Sequence, residues 1–300
     1  MTAAARRLAP GQQWSLALIA VTAVWGWSFT AIHDVLARIA PSTFVAYRFA
    51  LAALVLALFA RMRGLTGKEA LAGLGAGVFL GLGFALQTLG LTTTTPSNSG
   101  FITGMTVVFI PAAAFLVHRA RPSPAHLLAI ALAVVGLALL TLRGLRVSSG
   151  DLWTLGCAVA FSCHVLALGV VNRWGNILRI TVVQLAVVAA LSLLWAGAAG
   201  DPVVLAGDPR VWCALAVTAT AGTAVAYLVQ AKAQTVLPAS RVALIFTAEP
   251  VFAAGFGYWL AGDRFTAQSV LGGVLVLAAM LLAEFGGRSP EPDHYAGPVG

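Results

Sequence analysis

Charge is what this sequence has least of. Only 9% of its 300 residues are charged, 18 of them Lys or Arg and 10 Asp or Glu, against about 25% in a soluble domain. So few charged side chains cannot clothe a chain of this length in water, which excludes a soluble globular protein. A hydrophobic content of 60% excludes disorder, which needs low hydrophobicity and high charge. Cysteine is scarce too: Cys157, Cys163 and Cys213 each sit inside an apolar run, at spacings that suit neither a disulfide framework nor a zinc site. No G-x-x-x-x-G-K-S/T loop occurs, and Gly64-Leu65-Thr66-Gly67-Lys68-Glu69 fails it in spacing and at the hydroxyl position. ATP-driven work through that machinery is therefore excluded. Gly26-Trp27-Ser28-Phe29-Thr30 lacks the second glycine of a nucleophile elbow, and no H-E-x-x-H metal helix is present. The net charge of +8 is scattered singly or in pairs, with no basic arm or Arg-aromatic patch, so no nucleic-acid partner is expected. No cofactor and no metal are expected either.

What the chain has in abundance is apolar runs of bilayer length. A spanning helix needs about 20 mostly apolar residues. Ten such runs are read at 14–36, 43–60, 70–91, 97–117, 125–142, 151–172, 179–198, 210–231, 239–261 and 266–286, separated by short polar or turn-forming clusters. Their length and uniform apolarity predict helices rather than barrel strands, which alternate over about 10 residues. The segment 287–300 reads as a disordered cytoplasmic tail.

Lys/Arg bias sets the expected orientation. With the N-terminus in the cytoplasm, the inner segments hold Arg6, Arg7, Arg61, Arg63, Lys68, Arg119, Arg121, Arg173, Arg179, Lys232, Arg241 and Arg288. The outer ones hold Arg38, Arg143, Arg146, Arg210 and Arg264. Twelve against five predicts both termini on the cytoplasmic side of a cell (inner or plasma) membrane. Trp14, Trp153, Trp174, Trp195, Trp212 and Trp259 fall near expected helix ends, where amphipathic rings prefer the interface. Trp25 and Trp27 fall mid-run and need another reason.

Spans 4–5 and 9–10 align without a gap at an offset of 142, with Pro96 on Pro238, Ala112 on Ala254 and Val134 on Val276. Five spans plus five inverts the second half relative to the first, an arrangement common in secondary transporters. Gly73, Gly77 and Gly81 on one run, and Gly100 and Gly104 on the next, are spaced for close helix packing. Trp25-Gly26-Trp27-Ser28-Phe29 resembles the WG-x-x-F opening of a known family. The stretch 227–265, YLVQAKAQTVLPASRVALIFTAEPVFAAGFGYWLAGDRF, resembles the second-repeat core of the EamA family of the drug/metabolite transporter superfamily. Its key tripeptide is Glu249-Pro250-Val251, and Asp263 stands where that family usually has Glu. Gly150-Asp151-Leu152 fits the usual start of the second repeat. The resemblance implies an all-α membrane protein of ten transmembrane helices, built as two inverted five-helix EamA repeats at 14–142 and 151–286. It also implies export of amino acids or related small metabolites.

Ionisable groups at membrane depth are costly and default to functional candidates. Glu249, beside Pro250, is the proton-coupling candidate. Pro111 and Pro250 are candidate helix hinges, since proline frees a carbonyl one turn back. Arg48, with Tyr47, stands about two turns into the second run, where it could attract an anionic group or snorkel to headgroups. His164 is a candidate proton relay or a hydrogen-bonded neutral histidine. Trp25, Trp27, Ser28, Gln87, Gln184, Thr220, Tyr227 and Thr247 complete a candidate lining, aromatic walls with a few hydrogen-bonding groups; each could equally be interhelical glue. An intramembrane enzyme would need two facing catalytic groups at one depth, and no convincing pair is found. A non-transporting scaffold would favour large loops or tails, and these are short. The expected partners are a small-molecule metabolite and the lipid bilayer, and a homodimer is compatible with them.

Overall fold

The computed structural model describes residues 10–106, 108–110, 124–141, 148–171, 173–203, 207–237, 242 and 245–285. Among them every regular element is helical. Helices α1 (Pro10–Val35), α2 (Pro41–Ala57), α3 (Gly67–Gly90), α4 (Pro96–Gly104) and α5 (Pro124–Thr141) form the first half. In the second half, α6 (Ser149–Val171) and α7 (Ile177–Ala199) are followed by α8 (Pro209–Ala219), which continues through a π-helical segment, Thr220–Val225, into α9 (Ala226–Ala233). Then come α10 (Glu249–Phe256), which ends in a second π segment, Gly257–Ala261, and α11 (Ala267–Phe285).

Local chemistry sets the ends. Thr66 and Glu69 form a reciprocal capping box at the start of α3, satisfying backbone N–H groups that a helix leaves orphaned. Thr95, Asn176 and Asp208 cap α4, α7 and α8 through side-chain oxygens. Pro41, Pro96 and Pro209 occupy first-turn positions, where a missing N–H costs nothing.

Five stretches among the described residues are long and apolar enough to cross a bilayer: Gly11–Val35, Gly67–Gly90, Ser149–Val171, Ile177–Ala199 and Pro209–Ala233. Pro41–Ala57, Leu127–Leu140 and Ala267–Leu282 are apolar but shorter. Leu54, Leu58, Leu71, Leu82, Leu194 and Trp259 all face outward, a surface that lipid solvates and water does not.

Three runs depart from a single unbroken helix among the described residues, and the run expected at 97–117 does so at Met105, where α4 ends at Gly104. The run expected at 210–231 changes register at Thr220–Val225. In the run expected at 239–261, a turn at Thr247-Ala248 precedes Glu249, and Pro250 lies in the first turn of α10. Pro111 and the segment 287–300 lie outside the described residues.

The heaviest helix packing runs between the halves. Helix α3 lies on α6 and α7, and α2 on α7 and the π segment of α8–α9. Helix α1 packs against α8–α9 and α10, α4 against α6 and α10, and α5 against α11. Glycine governs the closest approaches. A Cβ on Gly73 would lie 2.5 Å from Val183 Cβ and one on Gly77 2.7 Å from Val187 Cβ, so these glycines form the groove that receives α7. Gly26 does the same for α10, where a Cβ would stand 2.5 Å from Phe252 Cβ.

Candidate functional site

The ionisable side chains of the bundle interior converge on Tyr227. Helix α9 presents this tyrosine, 7% exposed, to side chains from both halves. From the first half, the Trp25 ring lies 6.0 Å away and Phe84 6.5 Å away, centroid to centroid. From the second, the His164 ring lies 6.2 Å away, edge-on. Arg48 and Glu249 both lie close enough to act electrostatically on Tyr227. Trp25 also packs on Phe246 at 5.5 Å, and Phe84 on Phe49 and Phe161 at 4.6 and 5.1 Å. The result is an aromatic wall carrying a cation, a carboxyl and an imidazole.

The π segment holds this wall in place. Its wider turn lets one carbonyl, that of Gly222, accept from Trp25 Nε1 at 2.9 Å and from Arg48 Nη2 at 3.4 Å. Thr223 Oγ1 accepts from Arg48 Nε at 2.8 Å and donates to Thr218 O at 2.8 Å. The Arg48 guanidinium sits 4.8 Å from the centroid of the Phe84 ring, within cation–π range. Single π turns of this kind recur at functional sites.

His164 Nε2 pairs with Gln184 Oε1 at 2.9 Å, which joins α6 to α7. Gln87 Nε2 donates to Thr103 Oγ1 at 3.3 Å, and the buried Cys157 thiol lies near Thr103. Thr247, buried, lies in the turn that leads into α10. The Glu249 carboxyl, partly buried, makes no hydrogen bond among the described residues.

Other residues of the expected lining stand apart. Ser28 Oγ donates to Trp25 O on its own helix at 2.7 Å. Trp27 is half-buried. Thr220 lies on the outer face, its hydroxyl turned back to Ala216 O at 2.6 Å. Tyr47 OH reaches out to Val203 O at 2.6 Å, at the end of the bundle rather than its interior. The sequence pattern does not single out Thr223 or Phe84 for this wall. Apolar and hydroxyl residues in a lipid-soluble chain carry no mark of their own, and Thr223 becomes visible only once the π register is known.

One end of the bundle is tied across the halves, chiefly by second-half aspartates. Asp201 accepts from Ser42 at 2.5 Å and Asp208 pairs with Arg38 at 3.0 Å. Asp151 accepts from Thr94. Asp263 accepts from the Ser97 N–H at 3.0 Å and from its hydroxyl. Thr43 adds a bond to Pro202 O at 2.9 Å. At the opposite end Glu69 accepts from Arg179 Nη2 and from the Asn176 N–H, both at 2.7 Å. A concavity of about 330 Å³ opens at the first end, lined by Leu36–Ala40 and Pro202.

Comparison with known proteins gives this geometry a family. The sequence model of the EamA-like transporter family matches twice, over residues 12–142 and 148–285. A protein of Archaeoglobus fulgidus described as an uncharacterized transporter is 28% identical over 268 residues, covering 89% of this chain and 84% of its own. A solved crystal structure shares the fold with a TM-score of 0.64 at 18% identity, over 91% of this chain and 96% of that one. The apolar helices and the paired family match make this a multi-pass membrane protein whose relatives point to a transporter rather than an enzyme. The chain belongs to the EamA-like transporter family, within the drug/metabolite transporters.

Proposed function

We propose that this chain is a secondary transporter that moves a small metabolite by alternating access. In this reading ten spans form two five-helix halves, 14–142 and 151–286, inserted in opposite senses, with both termini in the cytoplasm of a cell membrane. The solute passes beside Tyr227. Export of amino acids or related metabolites is the direction and cargo that suit the family. The observation that carries the reading is the convergence on Tyr227 of groups from both halves, Trp25, Arg48 and Phe84 from one and His164 and Glu249 from the other. A passage at a repeat interface is where relative movement of the halves exposes a site to each side in turn.

The aspartate ties close one end of that passage, and opening it requires Ser42, Thr94, Ser97 and Arg38 to leave their partners. Glu249, without a hydrogen bond among the described residues and next to the turn at Thr247-Ala248, is the proposed proton carrier: neutralising it lowers the cost of moving α10 through a less polar environment.

The test is flux of labelled metabolites into proteoliposomes, with and without a pH gradient. Movement of at least one solute, accelerated by the gradient in the wild type and indifferent to it in Glu249→Gln, is the expected result. No flux for any solute would remove the transporter reading. A Glu249→Gln protein still driven by the gradient would remove only the coupling.

A further inference from the structure

We infer that Arg48 anchors a carboxylate of the transported solute, so the substrate class is a small organic acid or zwitterion with one free carboxylate. This rests on the transporter reading above. Arg48 is 2% exposed, and a guanidinium does not shed its proton to escape burial. Buried cations are ordinarily paired with a carboxylate, since unpaired charge is costly in a low-dielectric interior. Among the described residues Arg48 is not so paired. The ion pairs among the described residues are Arg38–Asp208 and Arg179–Glu69. Glu249 shares Tyr227 as a neighbour but forms no ion pair with the guanidinium.

The partners Arg48 does have are neutral, and they leave its fork open. Nε is committed to Thr223 Oγ1 at 2.8 Å and one N–H of Nη2 to Gly222 O at 3.4 Å. Nη1 makes no hydrogen bond among the described residues. What remains is the end-on pair of donors from Nη1 and Nη2, the geometry that grips a carboxylate through two parallel bonds. Phe84, packed against the guanidinium at 4.8 Å, and Thr223 fix the plane of that fork before any solute arrives. A monoanionic carboxylate balances the single positive charge one for one, whereas a phosphate dianion would leave a net buried negative charge.

The experiment uses the full chain, purified and reconstituted, with a panel of small carboxylic acids and amino acids, the primary amide of each, and matching phosphate monoesters. Flux and the ligand-induced rise in Tm are both read. The wild type is expected to prefer a carboxylate over its amide at least about tenfold, the scale of one lost hydrogen bond to a charged group. Arg48→Gln is expected to erase that preference, and Arg48→Lys to keep it at lower affinity. If Arg48→Gln does not fold, Thr223→Val, which keeps the charge but releases Nε, is expected to weaken carboxylate binding and leave amides unaffected. Retained carboxylate preference in Arg48→Gln, preference for amides or phosphate esters in the wild type, or equal loss of acid and amide in Thr223→Val would each overturn the inference. Absence of all flux would instead overturn the transporter reading. In that case carboxylates that raise the Tm of the wild type but not of Arg48→Gln would still support the anchor, and no rise with any carboxylate would end it.

Discussion

At the scale of single residues, the chemistry is concentrated in hydrogen bonds that only one partner type can satisfy. Gln184 is 2% exposed and its side-chain oxygen faces His164 Nε2 at 2.9 Å. Replacing it by Leu leaves a buried imidazole nitrogen unpaired, so Gln184→Leu is expected to cost roughly 1–3 kcal/mol. Unfolding of the detergent-solubilised variants checks it. Trp25→Phe keeps the ring contacts with Tyr227 and Phe246 but loses the donor to Gly222 O. Its expected cost is about 1 kcal/mol, the scale of one interhelical hydrogen bond in lipid, together with slower flux, because the Gly222 carbonyl also positions Arg48. Much of this scale was legible beforehand: the costliness of a mid-membrane charge is enough to single out Arg48 and Glu249 in the sequence. It misleads at Tyr47 and Thr220, whose polar tips find carbonyls at the bundle end and on their own helix.

The element scale turns on helix register and on how closely helices approach. Gly75 and Gly77 share one helix and face opposite ways: a Cβ on Gly75 meets nothing within 4 Å, while one on Gly77 would stand 2.9 Å from Gln184 O. Gly77→Ala is therefore expected to destabilise by roughly 1–3 kcal/mol through overpacking against a backbone that cannot yield. Gly75→Ala gains helix propensity of up to about 1 kcal/mol. Thermal unfolding of the two variants side by side reads the difference in sign. The glycine spacing on α3 announced a packed face in the sequence. The π segment at Thr220–Val225 did not announce itself. A reading at 3.6 residues per turn carries no provision for an i→i+5 turn, and so it points to Thr220 where the geometry uses Thr223. The break before Glu249-Pro250 was foreseeable from proline alone.

For the whole molecule, composition and run length were decisive, since they report the solvent a chain must satisfy, and this one satisfies lipid. The ties across the halves were not foreseeable. Asp151, Asp201, Asp208 and Asp263 read individually as helix-end or loop residues, and only the folded chain aligns them at one end against Ser42, Thr94, Ser97 and Arg38. Weakening two of these ties in Asp151→Asn with Asp263→Asn, which keeps an acceptor oxygen but gives up its charge, is expected to open that end more often. Single-molecule distances between dyes on the 36–40 and 201–208 connections would report a longer-distance population. An unchanged distribution would show that the ties carry no weight in closure. The central claim, that the interior beside Tyr227 faces each side of the membrane in turn, is tested most directly by accessibility. A single cysteine at position 227, in a chain whose native cysteines are replaced, is challenged with membrane-impermeant thiol reagents from one face and then the other in oriented vesicles. The account predicts modification from both faces, with protection from one face when transported solute or the Asp151→Asn and Asp263→Asn changes shift the balance. Modification from one face only, under every condition, would contradict it.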